Sequence, residues 1–382
     1  MSLKNQRIQE VYACFKHNDV ELGYRKLMDC AIDTQNLSIY QHIIGLTQWK
    51  ANNPNQIEAF VTQCIDVLKL IETSNITIHE DYSAVITAQN ITKRYGKNGF
   101  SLGPVSLSIK KGQVYGLVGE NGNGKTTLLR ILAKELNFDK GSIDYTFNKP
   151  YTSDFDLRSK LVYIPQRTEK WYGSLKDNLK LVLAHYGIPK EENEIRVLMM
   201  IARMGLWNYK HLKWSELSSG YKMRFELART LLRQPEVLLL DEPLANLDVL
   251  AQQVILEDLK SICNSLSHPI ALILSSQQLF EVEKISDNVI FLKEGQYKDT
   301  LGKISNVEDE LIIELDSSAS RDELLNAFKN LKLKKLVFNG GIYIAYFSYE
   351  TTFNEVLKQL GETGIQTTYI RNISISTRRF FV

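Results

Sequence analysis

The sequence predicts an α/β protein with a core of buried parallel strands, an all-α segment before that core and a small α+β segment after it. Three observations carry this reading. Residues 114–127, VYGLVGENGNGKTT, set a glycine-rich loop of the form GxxxxGK[ST] between an apolar strand and a helical run. Residues 237–242, VLLLDE, form a buried strand that empties into two carboxylates. Residues 4–73 repeat apolar positions at helical spacing, whereas the chain beyond about 306 alternates strands with helices.

Composition narrows the classes first. The 382 residues are 44% hydrophobic and 24% charged, enough for two or three ordinary packed domains. The 46 Lys+Arg against 44 Asp+Glu leave a net charge of +2, with no basic block to hold nucleic acid or an anionic membrane, so no nucleic-acid partner is expected. No window reaches the ~20 apolar residues of a membrane span, and MSLKNQRIQE lacks the apolar run of a signal peptide. A cytoplasmic protein is expected. Cys14, Cys30, Cys64 and Cys263 show no metal-binding spacing and are expected to be reduced core residues.

The first segment, 1–75, fits four helices starting near residues 4, 20, 37 and 55. The last is the clearest: Ile57, Phe60, Val61, Cys64, Ile65 and Leu68 fall on one face. A spacing of about 17 residues allows a helical-hairpin repeat, but the repeat's consensus residues are not evident and a small bundle fits as well. If the apolar faces close on one another, the segment is a self-contained module whose removal leaves the core working. The polar stretch ETSNITIHEDYS, 72–83, reads as a linker.

The core segment, 84–303, carries the chemistry. Glycines let backbone N–H groups curl around phosphate oxygens, and the following helix adds its positive N-terminal end. Lys125 is placed to reach the β- and γ-phosphates of a nucleotide, and the Thr126 hydroxyl to ligate Mg²⁺. Asp241, at a strand tip beside this loop, can hold the Mg²⁺ shell, while Glu242 can accept a proton from an attacking water. A second apolar strand, 270–274, runs into Ser275, Ser276, Gln277 and Gln278. Uncharged amides at a strand's carboxyl end lie where open α/β sheets meet their ligands.

The last segment, 306–382, reads as strand 311–315, helix 321–331, strand 335–338, a Gly340-Gly341 turn, strand 342–347, a helix and strand 366–370. That βαββαβ order is the ferredoxin-like sandwich. No cluster of histidines, cysteines or paired carboxylates marks a site in it, so a regulatory or dimer-supporting role is expected.

The order of the core's motifs resembles the nucleotide-binding domain of ABC transporters over about 84–300: the GxxxxGK[ST] loop, Gln166 in YIPQ, LSSGYK at 217–222, VLLLDE, and Ala245-Asn246-Leu247-Asp248. The resemblance implies a P-loop core of ABC type with an antiparallel β subdomain and a helical subdomain. It also implies ATP and Mg²⁺ as ligands, ATP hydrolysis, and a homodimer or paired dimer with each ATP held between one chain's phosphate loop and the other's signature. By position, Tyr95 matches the aromatic that stacks on adenine; Gly119, Asn121, Gly122, Gly124, Lys125, Thr126 and Thr127 match the phosphate loop. Gln166 matches the glutamine that touches Mg²⁺ and the lytic water, Ser218 and Gly220 the signature donors to the opposite γ-phosphate, and Asp248 the acid that crosses the dimer interface.

Two departures stand out. LSSGY replaces the family's commonest LSGGQ, and Gln277 occupies the position of the switch histidine, which points to hydrolysis that is slow but real. The SSG signature and the Glu281-Val-Glu283 pair resemble ATPases of exporters. These resemblances imply an exporter subunit that works at the cytoplasmic face with a separate permease. The helices at 1–75 are unusual for the family, and because helical hairpins commonly present protein-binding surfaces, a protein partner is expected for them. The rival readings are a non-transport ABC ATPase and a nucleotide-dependent interaction switch that does not hydrolyse.

Overall fold

The computed structural model describes residues 2–79, 82–96, 99–245, 247–277, 279–299 and 310–374, with the backbone alone at 279–281 and at 298 and 299. Four helices open the chain: α1 (Leu3–Lys16), α2 (Val20–Asp33), α3 (Leu37–Asn52) and α4 (Ile57–Thr73). Three of them start where a short polar side chain takes up an orphan amide of the first turn: Ser2 accepts from Asn5, Asp19 from Leu22, and Asn36 from Ser38 and Ile39. Helix α4 packs against each of the other three, a closed arrangement rather than a stack of hairpins.

The core holds two sheets. In the smaller, β1 (Ala84–Arg94) runs antiparallel to both β2 (Ser101–Lys110) and β4 (Lys140–Tyr145). The larger has the order β5-β6-β7-β3-β8-β9, made of β3 (Val114–Val118), β5 (Leu161–Ile164), β6 (Val237–Leu240), β7 (Ala271–Ser276), β8 (Asn288–Lys293) and β9 (Gln296–Asp299). Every pairing in it is parallel except β8 with β9. Strands β3, β6 and β7 are buried along their whole length, which is why they read as unbroken apolar runs rather than alternating ones. The third strand of the chain inserts between the seventh and eighth, so the carboxyl ends of β3, β6 and β7 lie side by side. Such a break in strand order is where open sheets place their ligands.

Helix α5 (Lys125–Leu132) follows β3, and α6 (Asp154–Lys160) leads into β5. A helical region between β5 and β6 comprises α7 (Leu175–His185), α8 (Lys190–Arg203) and α9 (Ser219–Leu231). Beyond β6 come α10 (Val249–Cys263) and, after β7, α11 (Leu279–Ile285).

The last unit runs β10 (Leu311–Ser317), α12 (Arg321–Ala327), β11 (Leu333–Asn339), β12 (Ile342–Phe347), α13 (Phe353–Glu362) and β13 (Thr367–Asn372). Its sheet has the order β11-β12-β10-β13, antiparallel throughout. Gly340 and Gly341, at φ 59° and 92°, make the tight hairpin between β11 and β12. Ser320 with Glu323, and Thr352 with Glu355, form capping boxes that start its two helices. Arg371 on β13 reaches Glu283 on α11 at 3.2 Å.

The opening helices close on more than one another. Their apolar faces continue into the helical region and α10 as one core, from Ile8, Val11 and Leu27 through Ile43 and Leu68 to Val197, Ile201 and Ile255. Polar contacts then tie them down. Arg203 of α8, almost wholly buried, pairs with Asp29 of α2 and with Asp258 of α10. The Asp33 carboxylate accepts hydrogen bonds from Arg7, from Ser265 and from the backbone amides of Leu266 and Ser267 beyond the end of α10. The linker is anchored too, through the His79 amide to the Leu266 carbonyl. The opening helices thus share one apolar core with α8 and α10.

The free cysteines Cys30, Cys64 and Cys263 are buried and Cys14 is partly so, and burial raises the pKa of each thiol. Among the described residues, no helix is long and apolar enough to cross a membrane.

Candidate active site

The phosphate loop, 119–124, leaves β3 and turns into α5 through Gly124, whose φ of 94° suits glycine. A Cβ there would also lie 2.8 Å from the Phe100 ring. No side chain caps α5, so its first amides are left for a ligand at the loop. Lys125, 6% exposed, donates to the Gly119 carbonyl at 2.7 Å and lies 3.2 Å from Glu242.

Asp241 is the hub of the site. Its own amide donates to the Ile164 carbonyl of β5, which continues the parallel ladder by one residue. Its Oδ2 accepts from the Thr126 hydroxyl at 2.7 Å and from the Tyr163 hydroxyl at 3.2 Å, while its Oδ1 accepts from the Ser275 hydroxyl at 2.7 Å. Burial, followed by the charge of Asp241, pushes the Tyr163 phenol well above its usual pKa, which keeps it a donor. Glu242, next in the chain, takes the left-handed conformation (φ 49°) that turns β6 sharply toward the loop.

These pieces enclose one cavity of about 360 Å³, lined by Phe100, Glu120, Asn121, Gly122, Gly124, Lys125, Thr126, Thr127, Gln166, Glu242 and Gln277. Most of the site residues read from the sequence therefore converge. Gln166 sits two residues past the end of β5, and Gln277 one residue past β7. Gln278 and Asn246 lie outside the described residues. Asp241 sits behind the cavity wall, bonded to Thr126. Tyr95 is not part of the lining: it is 43% exposed, and its ring lies 6.4 Å from that of Phe100, which does line the cavity. Ser218 and Gly220, at the start of α9, do not line this cavity, and the Ser218 hydroxyl does not cap that helix. Asp248 caps α10, accepting from the Ala251 amide at 2.9 Å. Tyr221, where the commonest signature has glutamine, lies 4.0 Å from Tyr209 ring to ring, and the hydrogen bond they share raises the Tyr221 pKa.

Sequence reasoning missed Phe100, Tyr163 and Ser275. Ser275 left a signal, a small polar residue at the end of a fully buried strand, which pays for its hydroxyl only by bonding it. Phe100 left none. A larger cavity, about 610 Å³, lies between α1, α2 and α10, yet every charged residue lining it is already ion-paired within the protein, for example Arg25 with Glu257 and Lys260 with Asp287. It offers no unpaired charge to a ligand, and the chemistry belongs to the smaller one.

The ABC transporter family model matches residues 102–245. The Nod factor export ATP-binding protein I of Burkholderia orbicola is 30% identical over 249 residues, 63% of this chain and 80% of that protein. The chain belongs to the ABC transporter family. The match to the Fe(3+) ions import ATP-binding protein FbpC of Fusobacterium nucleatum is 32% identical over 216 residues, 56% of this chain and 57% of that one. The structure of cbiO1 from Clostridium perfringens, part of the ABC transporter complex cbiONQ, superposes with a TM-score of 0.51 at 28% identity and covers 57% of this chain and 88% of that one. The middle of the chain is thus the ATP-binding, ATP-hydrolysing unit of an ABC transporter, and its phosphate loop and β6 carboxylates lie inside the matched region or at its edge. The donor set also fits the metal that accompanies ATP: a threonine hydroxyl 2.7 Å from a carboxylate is a pair of hard oxygens, and Mg²⁺ commonly takes only one or two such protein ligands beside waters and phosphates.

Proposed function

We propose that the chain is the ATPase subunit of an exporter, hydrolysing MgATP at the cytoplasmic face of a membrane to drive a separate permease. The observation that carries the proposal is the convergence of Lys125, Gln166, Glu242 and Gln277 on one cavity, with Thr126 joined to Asp241 at its floor. Export is favoured by the SSG signature at 218–220, by the Glu281-Val-Glu283 pair and by the likeness to a Nod factor export subunit.

In this reading the loop amides of 119–124 and Lys125 hold the β- and γ-phosphates, and Tyr95, beside Phe100, stacks on the adenine. Thr126 and Asp241, with Gln166, would hold Mg²⁺, which supplies positive charge to the phosphate oxygens. Glu242 accepts the proton of the attacking water, and Gln166 orients that water. Steady-state phosphate release tests the assignment, and the Glu242→Gln outcome is taken up in the Discussion.

Gln277 donates its side-chain NH₂ to the γ-phosphate in place of a histidine. It keeps the hydrogen bond but carries no charge, and a neutral donor is about half as strong as a charge-assisted one. Turnover is therefore slow but not zero. Gln277→Ala is expected to lower it about tenfold or more, the effect of losing one transition-state hydrogen bond, and Gln277→His to restore or raise it. Equal rates in all three proteins would remove the residue from the phosphate.

Ser218 and Gly220, exposed or partly so and absent from the lining of their own chain's phosphate cavity, complete the site of a second copy. In Glu242→Gln, ATP is expected to convert monomer into dimer, read by light scattering with and without MgATP. A monomer at high protein concentration under both conditions would count against a homodimer.

The C-terminal unit is a ferredoxin-like domain in a regulatory or dimer-supporting role, and Arg371 on Glu283 links it to the helix that follows Gln277. The outer faces of α1–α4 serve a protein partner.

A further inference from the structure

We infer that Ser275 is a positioning residue of the hydrolytic site, fixing the Asp241 carboxylate and the Glu242 backbone at the β6 end through one hydroxyl. The inference rests on the assignment of Asp241 and Glu242 to the metal and the water. Strands β6 and β7 run parallel with Leu240 opposite Leu274, so the next residues, Asp241 and Ser275, face each other as the strands end. Ser275 is fully buried, with no water to satisfy its hydroxyl. Both halves of that hydroxyl are used. The proton goes to Asp241 Oδ1 at 2.7 Å, and the oxygen accepts the Glu242 amide at 2.8 Å.

Each bond fixes a different thing. With Oδ1 held by Ser275, the carboxylate cannot rotate about its own axis, and Oδ2 is the oxygen presented beside Thr126. The Glu242 amide is the first on this strand to leave the ladder, because Asp241 still bonds to Ile164 and Glu242 then turns to φ 49°. Ser275 takes up that amide at the bend and so sets the direction in which the Glu242 side chain leaves toward Lys125. A serine hydroxyl is small enough to act between adjacent strands and can donate and accept at once, which alanine cannot do.

The test is Ser275→Ala in the full chain, read by Mn²⁺ titration followed by EPR in the presence of ADP, by ADP affinity without metal, and by kcat. Removal of a group that orients a metal ligand is expected to weaken Mn²⁺ binding about tenfold and to lower kcat about tenfold or more, with metal-free ADP affinity within about twofold of the parent. Should the alanine variant fail to fold, Ser275→Cys, which keeps the side chain in place but offers only a weak S–H donor, is read the same way. Mn²⁺ affinity and kcat both within about twofold of the parent would overturn the inference, as would a loss of metal-free ADP affinity with Mn²⁺ binding unchanged. Asp241→Asn separates the two levels. If it abolishes Mn²⁺ binding while Ser275→Ala changes nothing, the inference alone fails; if it too leaves Mn²⁺ binding intact, the metal assignment itself is wrong.

Discussion

Glu242→Gln is expected to lower ATP turnover by about 10²–10⁴, the contribution of a positioned general base, while leaving nucleotide binding intact. Glutamine matches glutamate in size and can still hydrogen-bond, but it cannot take up the proton of an attacking water. The groups placed for binding, which are the loop amides, Lys125 and Thr126, are untouched by the change. Glu242 is held for this task by its surroundings: β6 ends one residue before Asp241, the backbone bends at φ 49°, and the carboxylate emerges into the cavity 3.2 Å from Lys125. Phosphate release and equilibrium nucleotide binding, measured side by side, check it. An unchanged rate would mean that another group takes the proton.

Arg203→Ala is expected to cost about 3–5 kcal/mol of stability, the range found when one partner of a buried ion pair is removed. Its guanidinium is 1% exposed and lies between Asp29 of α2 and Asp258 of α10, so the substitution leaves Asp29 with only the Ser261 hydroxyl and Asp258 with only the more distant Arg25, at 3.5 Å. The loss is not specific to the nucleotide. The thermal unfolding midpoint should fall by several degrees with or without ATP, and a cost below about 1 kcal/mol would mean that water reaches the triad. Deleting 1–75 is expected to be harsher than a silent loss of a partner surface. It strips Ile32 and Tyr40 from the small cavity they share with Met199 and Met200, and leaves Arg203 with Asp258 alone. Insolubility or failure to bind ATP is the expected result; a soluble, fully active remainder would restore the view of a detachable module.

What could be read in the chain without its fold is whatever depends on residues close in sequence. The phosphate loop is of this kind, since a strand, six loop residues and a helix start are one local unit, and Gly124 is demanded by its own backbone angle. So are the helix starts at Ser2, Asp19 and Asn36, whose caps reach only two or three residues ahead, and the Gly340-Gly341 hairpin. Asp241 and Glu242 announce themselves because two adjacent carboxylates at the tip of a four-residue apolar strand, beside a phosphate loop, suit a metal and a water. Tertiary structure decided the rest. The order β5-β6-β7-β3 brings Ser275 to Asp241 across 34 positions and Tyr163 to the same carboxylate across 78, and no periodicity encodes a hydrogen bond between separate strands. Phe100, remote from the loop by pattern, becomes part of the cavity wall because Phe100 and Leu102, the latter on β2, pack against Gly124 of the loop. The opening helices show the limit most plainly. Amphipathic spacing says that a face is buried but not what buries it, and only the packing of α2 and α3 on α8, with Arg203 closed between two aspartates, makes those helices part of the ATPase instead of a neighbour to it.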